Sequence, residues 1–189
     1  LHPSPQIRGA RCELFSVFHI PVREGRSFAA TDGAGGEPVA IVTQAMADRQ
    51  YDGHAVGKEI VVNDYSGYPA GKAMADDPAM HPVTARIIGV VGDTRQFGPL
   101  DSMKRGFLYL PLAQMPEHIV HAFRSFQPLR FALRVQGDPN RYRQAAHAAV
   151  AAVAPEQPIA TVSTMDDIVR ATTDDTRRDL FLIGLFALV

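Results

Sequence analysis

The segment Thr84-Ala85-Arg86-Ile87-Ile88-Gly89-Val90-Val91-Gly92-Asp93 constrains this chain most. It is a long β-branched run with a strand's composition, and its two glycines predict a bulge or bend. It is the best strand in the chain, and several others accompany it. Val39–Val42 is a short apolar run, and Glu59-Ile60-Val61-Val62-Asn63, Phe107–Leu110 and Ile159–Val162 read as further strands. Arg130–Val135 alternates polar and apolar, predicting a strand with one wet face.

Helices are expected between and after them. Glu13–Ile20 places Leu14, Phe15 and Phe18 on one helical face, and Pro21 stops it. Gln44–Tyr51 follows Val39–Val42 directly, with Thr43 as its cap and Asp52-Gly53 at its end. Asp138 caps a helix with Pro139 at its first position, on which Tyr142, Ala146, Ala149, Val150 and Val153 share a face. Ser163 or Thr164 caps another, with Asp166 or Asp167 completing a capping box. Asp32–Pro38 and Tyr65–Pro82 are loops by composition. The element order predicts an α+β fold in two lobes.

With 19 Lys and Arg against 20 Asp and Glu, the chain is neither a basic nucleic-acid binder nor an acidic tail. The 46% hydrophobic content is that of a globular protein, and 189 residues bury roughly 70% of the unfolded surface. Cys12 is the single cysteine, so no internal disulfide forms and no multi-cysteine zinc site is available. Leu180–Val189 is a run of ten residues with no charge or side-chain hydrogen-bonding group. It reads either as a core helix or as the start of a truncated transmembrane helix. Thr176-Arg177-Arg178-Asp179 before it has the look of a membrane edge and favours the second.

No chemistry is legible. Gly53-His54-Ala55-Val56-Gly57-Lys58-Glu59 is one residue short of a phosphate-binding loop, has Glu59 where a hydroxyl is required, and follows a helix. Gly33-Ala34-Gly35-Gly36 precedes a strand and so reads as turn residues, not a dinucleotide fingerprint. Glu117-His118-Ile119-Val120-His121 sets two imidazoles at i, i+3 without a third ligand, and reads as solvated loop. Cys12 and His19 stand about two helical turns apart, too far to pair, and Cys12 reads as a buried small residue. Asp76-Asp77, Asp166-Asp167 and Asp174-Asp175 diverge as neighbours do and share no proton. The expected site residues are therefore none: no catalytic group, no cofactor-binding group and no metal ligand.

Six segments in order resemble one family. Val22-Arg23-Glu24-Gly25-Arg26-Ser27-Phe28 with Asp32 resembles the L-x-x-G-R-x-F…D motif of the MacB-like periplasmic core domain, found in MacB/FtsX-like ABC transporter permeases. Pro38–Ala47 is similar to P-V-A-I-V-N-E-x-M-A, with Thr43-Gln44 in place of Asn-Glu, and Val56-Gly57-Lys58 to the x-G-K that follows. Ile87–Arg95 resembles I-V-G-V-V-G-D-V-R, and Leu108–Gln114 resembles x-Y-x-P-x-x-Q. Thr164-Met165 with Arg178–Val189 resembles the approach to the second transmembrane helix.

The resemblance implies a non-enzymatic extracytoplasmic domain over 1–179, with 180–189 opening a transmembrane helix. It implies a βαβ-containing porter-like lobe from about 1–56 plus 129–179, and an inserted β-rich lobe over about 57–128. It further implies a place on the periplasmic side of the inner membrane, where ATP-driven motion is transmitted for export or mechanotransmission. The helix from Asp166 to Val189 would be its stalk. No cofactor is expected in this chain; ATP and Mg²⁺ belong to an associated ABC ATPase domain or subunit. The other partners implied are the membrane, a second permease half in a dimer, and a periplasmic adaptor protein, with no nucleic acid. The alternative is a membrane-anchored, ligand-binding sensory ectodomain.

Overall fold

A computed structural model describes residues 6–62, 82–94, 106–115, 120, 130–156, 159 and 161–171. They divide between two units, one drawn from Leu1–Thr94 and Met103–Ala132, the other from Arg95–Ser102 and Leu133–Val189.

The first unit is a mixed α/β structure built on one six-stranded sheet. Its strands are β1 (Gln6–Ala10), β2 (Val22–Gly25), β3 (Val39–Thr43), β4 (Glu59–Val62), β5 (Val83–Val91) and β6 (Phe107–Pro111), in the order β1-β6-β3-β5-β2 with β4 also on β5. β3 lies between β5, parallel, and β6, antiparallel, and every one of its residues is buried. That is why Val39-Ala40-Ile41-Val42 carries no polar alternation. Its side chains go alternately to two faces. Ala40 and Val42 join Met46, Ala47, Ile87 and Leu108 on one side, while Val39 and Ile41 join Phe15, Phe28, Phe107 and Tyr109 on the other.

β5 is the strand expected to bend, and it does. Ala40 pairs with Ile87 but Ile41 with Gly89, a one-residue slip that passes over Ile88. Before the slip Ala85 and Ile87 face the first core; after it Val90 does, while Ile88 and Val91 face the second. The extra residue shifts the side-chain phase and keeps both cores supplied. Opposite the slip, Gly25 of β2 pairs with Gly89. A Cβ on Gly25 (φ 70°) would stand 2.2 Å from the Ile88 carbonyl oxygen, and one on Gly89 2.3 Å from that of Arg26. Only glycine fits either place.

Two helices flank this sheet. α1 (Leu14–Val17) is shorter than the expected Glu13–Ile20, because His19 takes a left-handed φ of 52° and the Ile20 amide turns back to the Phe15 carbonyl. Phe15 is buried there but Phe18 is exposed, so the expected apolar face is only partly used. α2 (Gln44–Gln50) matches its expected span and ends at Asp52-Gly53, where the Gly53 amide donates to the Ala47 carbonyl. Thr43 stands at the cap position, yet its side chain does not cap. Its hydroxyl accepts from the Phe107 amide, and the free Ala45 amide of the first turn donates instead to Asp93 Oδ1 at 2.8 Å.

The expected division of the chain near residue 56 falls inside this sheet. β1, β2 and β3 come from before it and β4, β5 and β6 from after it, and they share one ladder. β5 is long enough to take partners from both stretches at once.

In the second unit Asp138 accepts the Asn140 amide, Pro139 opens a 3₁₀ turn (Pro139–Tyr142), and α3 (Arg143–Val153) follows. The face shared by Tyr142, Ala146, Ala149, Val150 and Val153 is formed but not buried; α3 buries no residue, and Val153 is 88% exposed. Thr164 and Asp167 make the reciprocal capping box, Thr164 N–H to Asp167 Oδ2 and Asp167 N–H to Thr164 Oγ1, ahead of a helical turn over 165–171. Arg143 ties α3 to this cap by donating to the Val162 carbonyl at 2.6 Å.

Arg130–Val135 and the described residues of Ile159–Val162 are not strands among the described residues, contrary to expectation. Phe131 and Leu133 are exposed. Alternation makes a strand competent to pair, but a ladder neighbour makes it a strand. Among the described residues no helix is long and apolar enough to cross a membrane. Leu180–Val189, the Tyr65–His81 part of the long loop, and Glu117 to Ile119 with His121 lie outside the described residues.

Replacing Asp93 with alanine removes a cap supplied from beyond the end of β5. Urea unfolding should show a loss of about 1 kcal/mol, the usual worth of an N-cap, whereas Thr43→Ser, which keeps the hydroxyl bonded to Phe107, should cost less.

Candidate functional site

Three of the segments that resemble family motifs, those holding Arg26 with Asp32, Pro38 with Val39, and Gln114, meet at the loop Arg26–Pro38 between β2 and β3. β2 holds Gly25 against Gly89, and the Arg26 amide donates to the Ile88 carbonyl, so the loop leaves the sheet at a fixed angle. The Arg26 guanidinium then reaches Asp32 through two hydrogen bonds of 2.7 and 2.8 Å. Asp32 Oδ2 also accepts the Ala29 amide at 2.8 Å. Its carboxylate is almost fully buried while the Arg26 side chain is half in water. The Arg26 hydrogen bonds hold the Asp32 carboxyl below its ordinary range against the opposing effect of burial, and the Ala29 amide adds to this. Asp32 in turn raises the Arg26 pKa.

Phe28, between the two charges, is buried with its ring centroid 6.0 Å from that of Phe15, which meets Tyr109 edge-on at 5.1 Å. Gln114, in the turn after β6, grips the far end of the loop. Its Oε1 accepts the Val39 amide at 3.1 Å, and its Nε2 donates to the carbonyls of Glu37 at 2.9 Å and Gly33 at 3.3 Å. Arg86 of β5 pairs with Glu37, and its amide donates to the Pro38 carbonyl. Arg26, Asp32 and Gln114 therefore spend these hydrogen bonds inside the protein.

The other sequence candidates are placed without being brought together. Gly57 lies in a turn, and its amide donates to the Ile87 carbonyl at 2.8 Å, which removes it from phosphate binding. Residues 53–58 thus do not fit a nucleotide. Gly36 closes a turn on the Gly33 carbonyl, as the turn reading of Gly33–Gly36 expects. Cys12 is half-buried at the edge of the second core, not fully buried as expected. A hydrogen bond with Glu13 and burial raise its thiol pKa, which opposes a reactive thiolate. No three His, Cys, Asp or Glu side chains cluster among the described residues. A shallow, open depression of about 270 Å³ lies over Gly25, Val56, Gly57 and Ile87, with Arg26 and Arg86 on its rim. Both arginines are already paired, to Asp32 and Glu37.

What the sequence reading missed is this convergence. The spacing of Arg26, Phe28 and Asp32 holds the signal: a cation and an anion six residues apart around a lone aromatic, in a glycine-rich loop. Gln114 is 75 residues from its Val39 partner and carries no local signal at all.

Asp32→Ala should destabilise the chain by about 1–2 kcal/mol at neutral pH, the value of charge-assisted hydrogen bonds with one partner half in water. Because the folded-state pKa is depressed, that stabilisation is complete above the ordinary aspartate range. It is lost as pH falls through the folded value. Urea midpoints of the parent and Asp32→Ala should therefore differ at pH 7 and approach each other toward pH 2–3.

The chain matches the model of the MacB-like periplasmic core domain over residues 3–153. Among solved structures it is similar to the periplasmic region of MacB from Actinobacillus actinomycetemcomitans, with 15% identity and a TM-score of 0.50, covering 79% of this chain and 57% of that one. It is also similar to the extracellular domain of the noncanonic ABC-type transporter YknZ from Gram-positive bacteria, at 14% identity and a TM-score of 0.41, covering 80% of this chain and 65% of that one. The chain thus spans less than two thirds of either structure. No curated sequence is similar enough to extend the comparison. The family match covers most of the chain, and the motif residues fall on the elements that build the sheet and its β2–β3 loop: the chain belongs to the MacB-like periplasmic core domain family.

Proposed function

We propose that this chain is the non-catalytic extracytoplasmic domain of an ABC transporter permease, and that it passes ATP-driven motion across the membrane for export or mechanotransmission. The observation that carries the reading is the family match over residues 3–153. The site geometry agrees with it. Arg26, Asp32, Gln114 and Asp93, the polar motif residues, are engaged in closing loops and capping a helix, with bonds to other parts of the same chain. A body that transmits displacement needs such internal ties more than it needs a reactive group.

ATP and Mg²⁺ in this reading are held by an ABC ATPase domain or subunit on the cytoplasmic side. The permease works as a dimer at the inner membrane, with a periplasmic adaptor as a further partner. The run Leu180–Val189 serves as the start of the membrane helix, and the helix from Asp166 onward connects it to the domain.

Two measurements on the full-length protein test this. A single cysteine at Gly35, where an added Cβ meets nothing within 4 Å, in a Cys12→Ser background, should react with a membrane-impermeant maleimide from the extracytoplasmic side. Labelling that requires access from the cytoplasm would overturn the placement. Spin labels at Val153, on an exposed helix face, should change their separation between two copies when ATP is hydrolysed. A distance distribution unaltered through turnover would overturn the transmission of motion.

A further inference from the structure

The loop Arg26–Pro38 is attached differently from the sheet it lies on. Of its 13 residues only Phe28 and Asp32 are buried. Its other attachments are hydrogen bonds in contact with water, and they end on separate segments: Gln114 after β6 and Arg86 in β5. The Ser27 hydroxyl is buried with no hydrogen-bond partner among the described residues, so it adds no tie to the loop there. Few buried apolar contacts and many exposed hydrogen bonds are the marks of a segment that opens below the free energy of global unfolding.

The two faces of the sheet are covered by different elements. One is packed by Met46 and Ala47 of α2. The other, carrying Ile41, Phe107 and Tyr109, packs with Phe15 from the four-residue α1 and Phe28 from the loop. The loop ends are well defined. At one end Gly25 is locked against β5; at the other the Pro38 carbonyl accepts the Arg86 amide and the Val39 amide reaches Gln114.

We infer that Arg26–Pro38 is a lid that opens and closes as one cooperative unit over the aromatic face of the sheet while the sheet stays folded. Opening breaks the Arg26–Asp32 pair and the Gln114 grip together and lifts Phe28 from Phe15. The lid needs no ligand to operate, and the inference does not depend on the transport reading.

Amide hydrogen exchange of the 189-residue chain at neutral pH tests it. The amides of Ala29, Asp32, Gly36 and Val39, bonded within the lid or to Gln114, should exchange by a shared opening at least about tenfold faster than Ile87 in the sheet. Gln114→Ala should speed Ala29 as well as Val39, by about tenfold or more, although Gln114 bonds Gly33, Glu37 and Val39 and not Ala29. Asp32→Asn should act from the other end and speed Gly36 and Val39 to a similar degree, with Ile87 unchanged in both variants. Two results would each overturn the inference: lid amides as slow as Ile87 in the parent, or each variant loosening only the amides next to it.

Discussion

The contact on which the first unit depends is made without side chains. β2 and β5 meet at Gly25 and Gly89, where the backbone of each strand occupies the space a methyl group would need on the other. It coincides with the one-residue slip that re-phases β5 between the two cores. The same short stretch thus sets which residues reach which face, and the direction in which the chain leaves β2. Everything that Arg26–Pro38 does follows from that direction. The guanidinium of Arg26 meets Asp32 with two well-formed bonds because the backbone at Arg26 is already fixed by its bond to Ile88.

From that contact outward, the family's polar residues form a chain of internal ties. Asp32 closes the loop on itself, Gln114 fastens it to the turn after β6, and Asp93, two residues beyond β5, caps α2. The ties made by Gln114 and Asp93 join segments distant in sequence. A residue pattern kept for such a purpose looks like an active site in one respect, since polar residues gather at a loop. It differs in where the hydrogen bonds go: inward, to backbone groups of the same chain. In a catalytic constellation polar groups remain directed at a substrate position.

The sequence carried the local part of this structure well and the distant part poorly. β3, α2, the bend in β5, the Asp138 cap and the Thr164–Asp167 capping box all rest on neighbours within a few residues, and each stands as the residues suggested. Thr43 shows the limit. Its type and position are right for a cap, but its hydroxyl is taken by Phe107, 64 residues on, and Asp93 fills the vacancy. Arg130–Val135 shows it in reverse, since its alternation is correct yet it is not a strand among the described residues. The expected boundary near residue 56 falls within the sheet because strand pairing is non-local, and β5 draws partners from both sides of that point. Of the site, Asp32 and Arg26 were visible as motif letters, but their purpose required the fold.

The central claim is that the Gly25–Gly89 contact positions the Arg26–Asp32 pair, and a double-mutant cycle tests it directly. Unfolding free energies are measured for the parent, Gly89→Ala, Asp32→Ala and the double variant. A methyl at Gly89 displaces the Arg26 backbone, so the account predicts that Asp32→Ala costs far less in that background than alone, a coupling of about 0.5 kcal/mol or more. If the two losses simply add, the clasp does not depend on the glycine contact, and the account is contradicted.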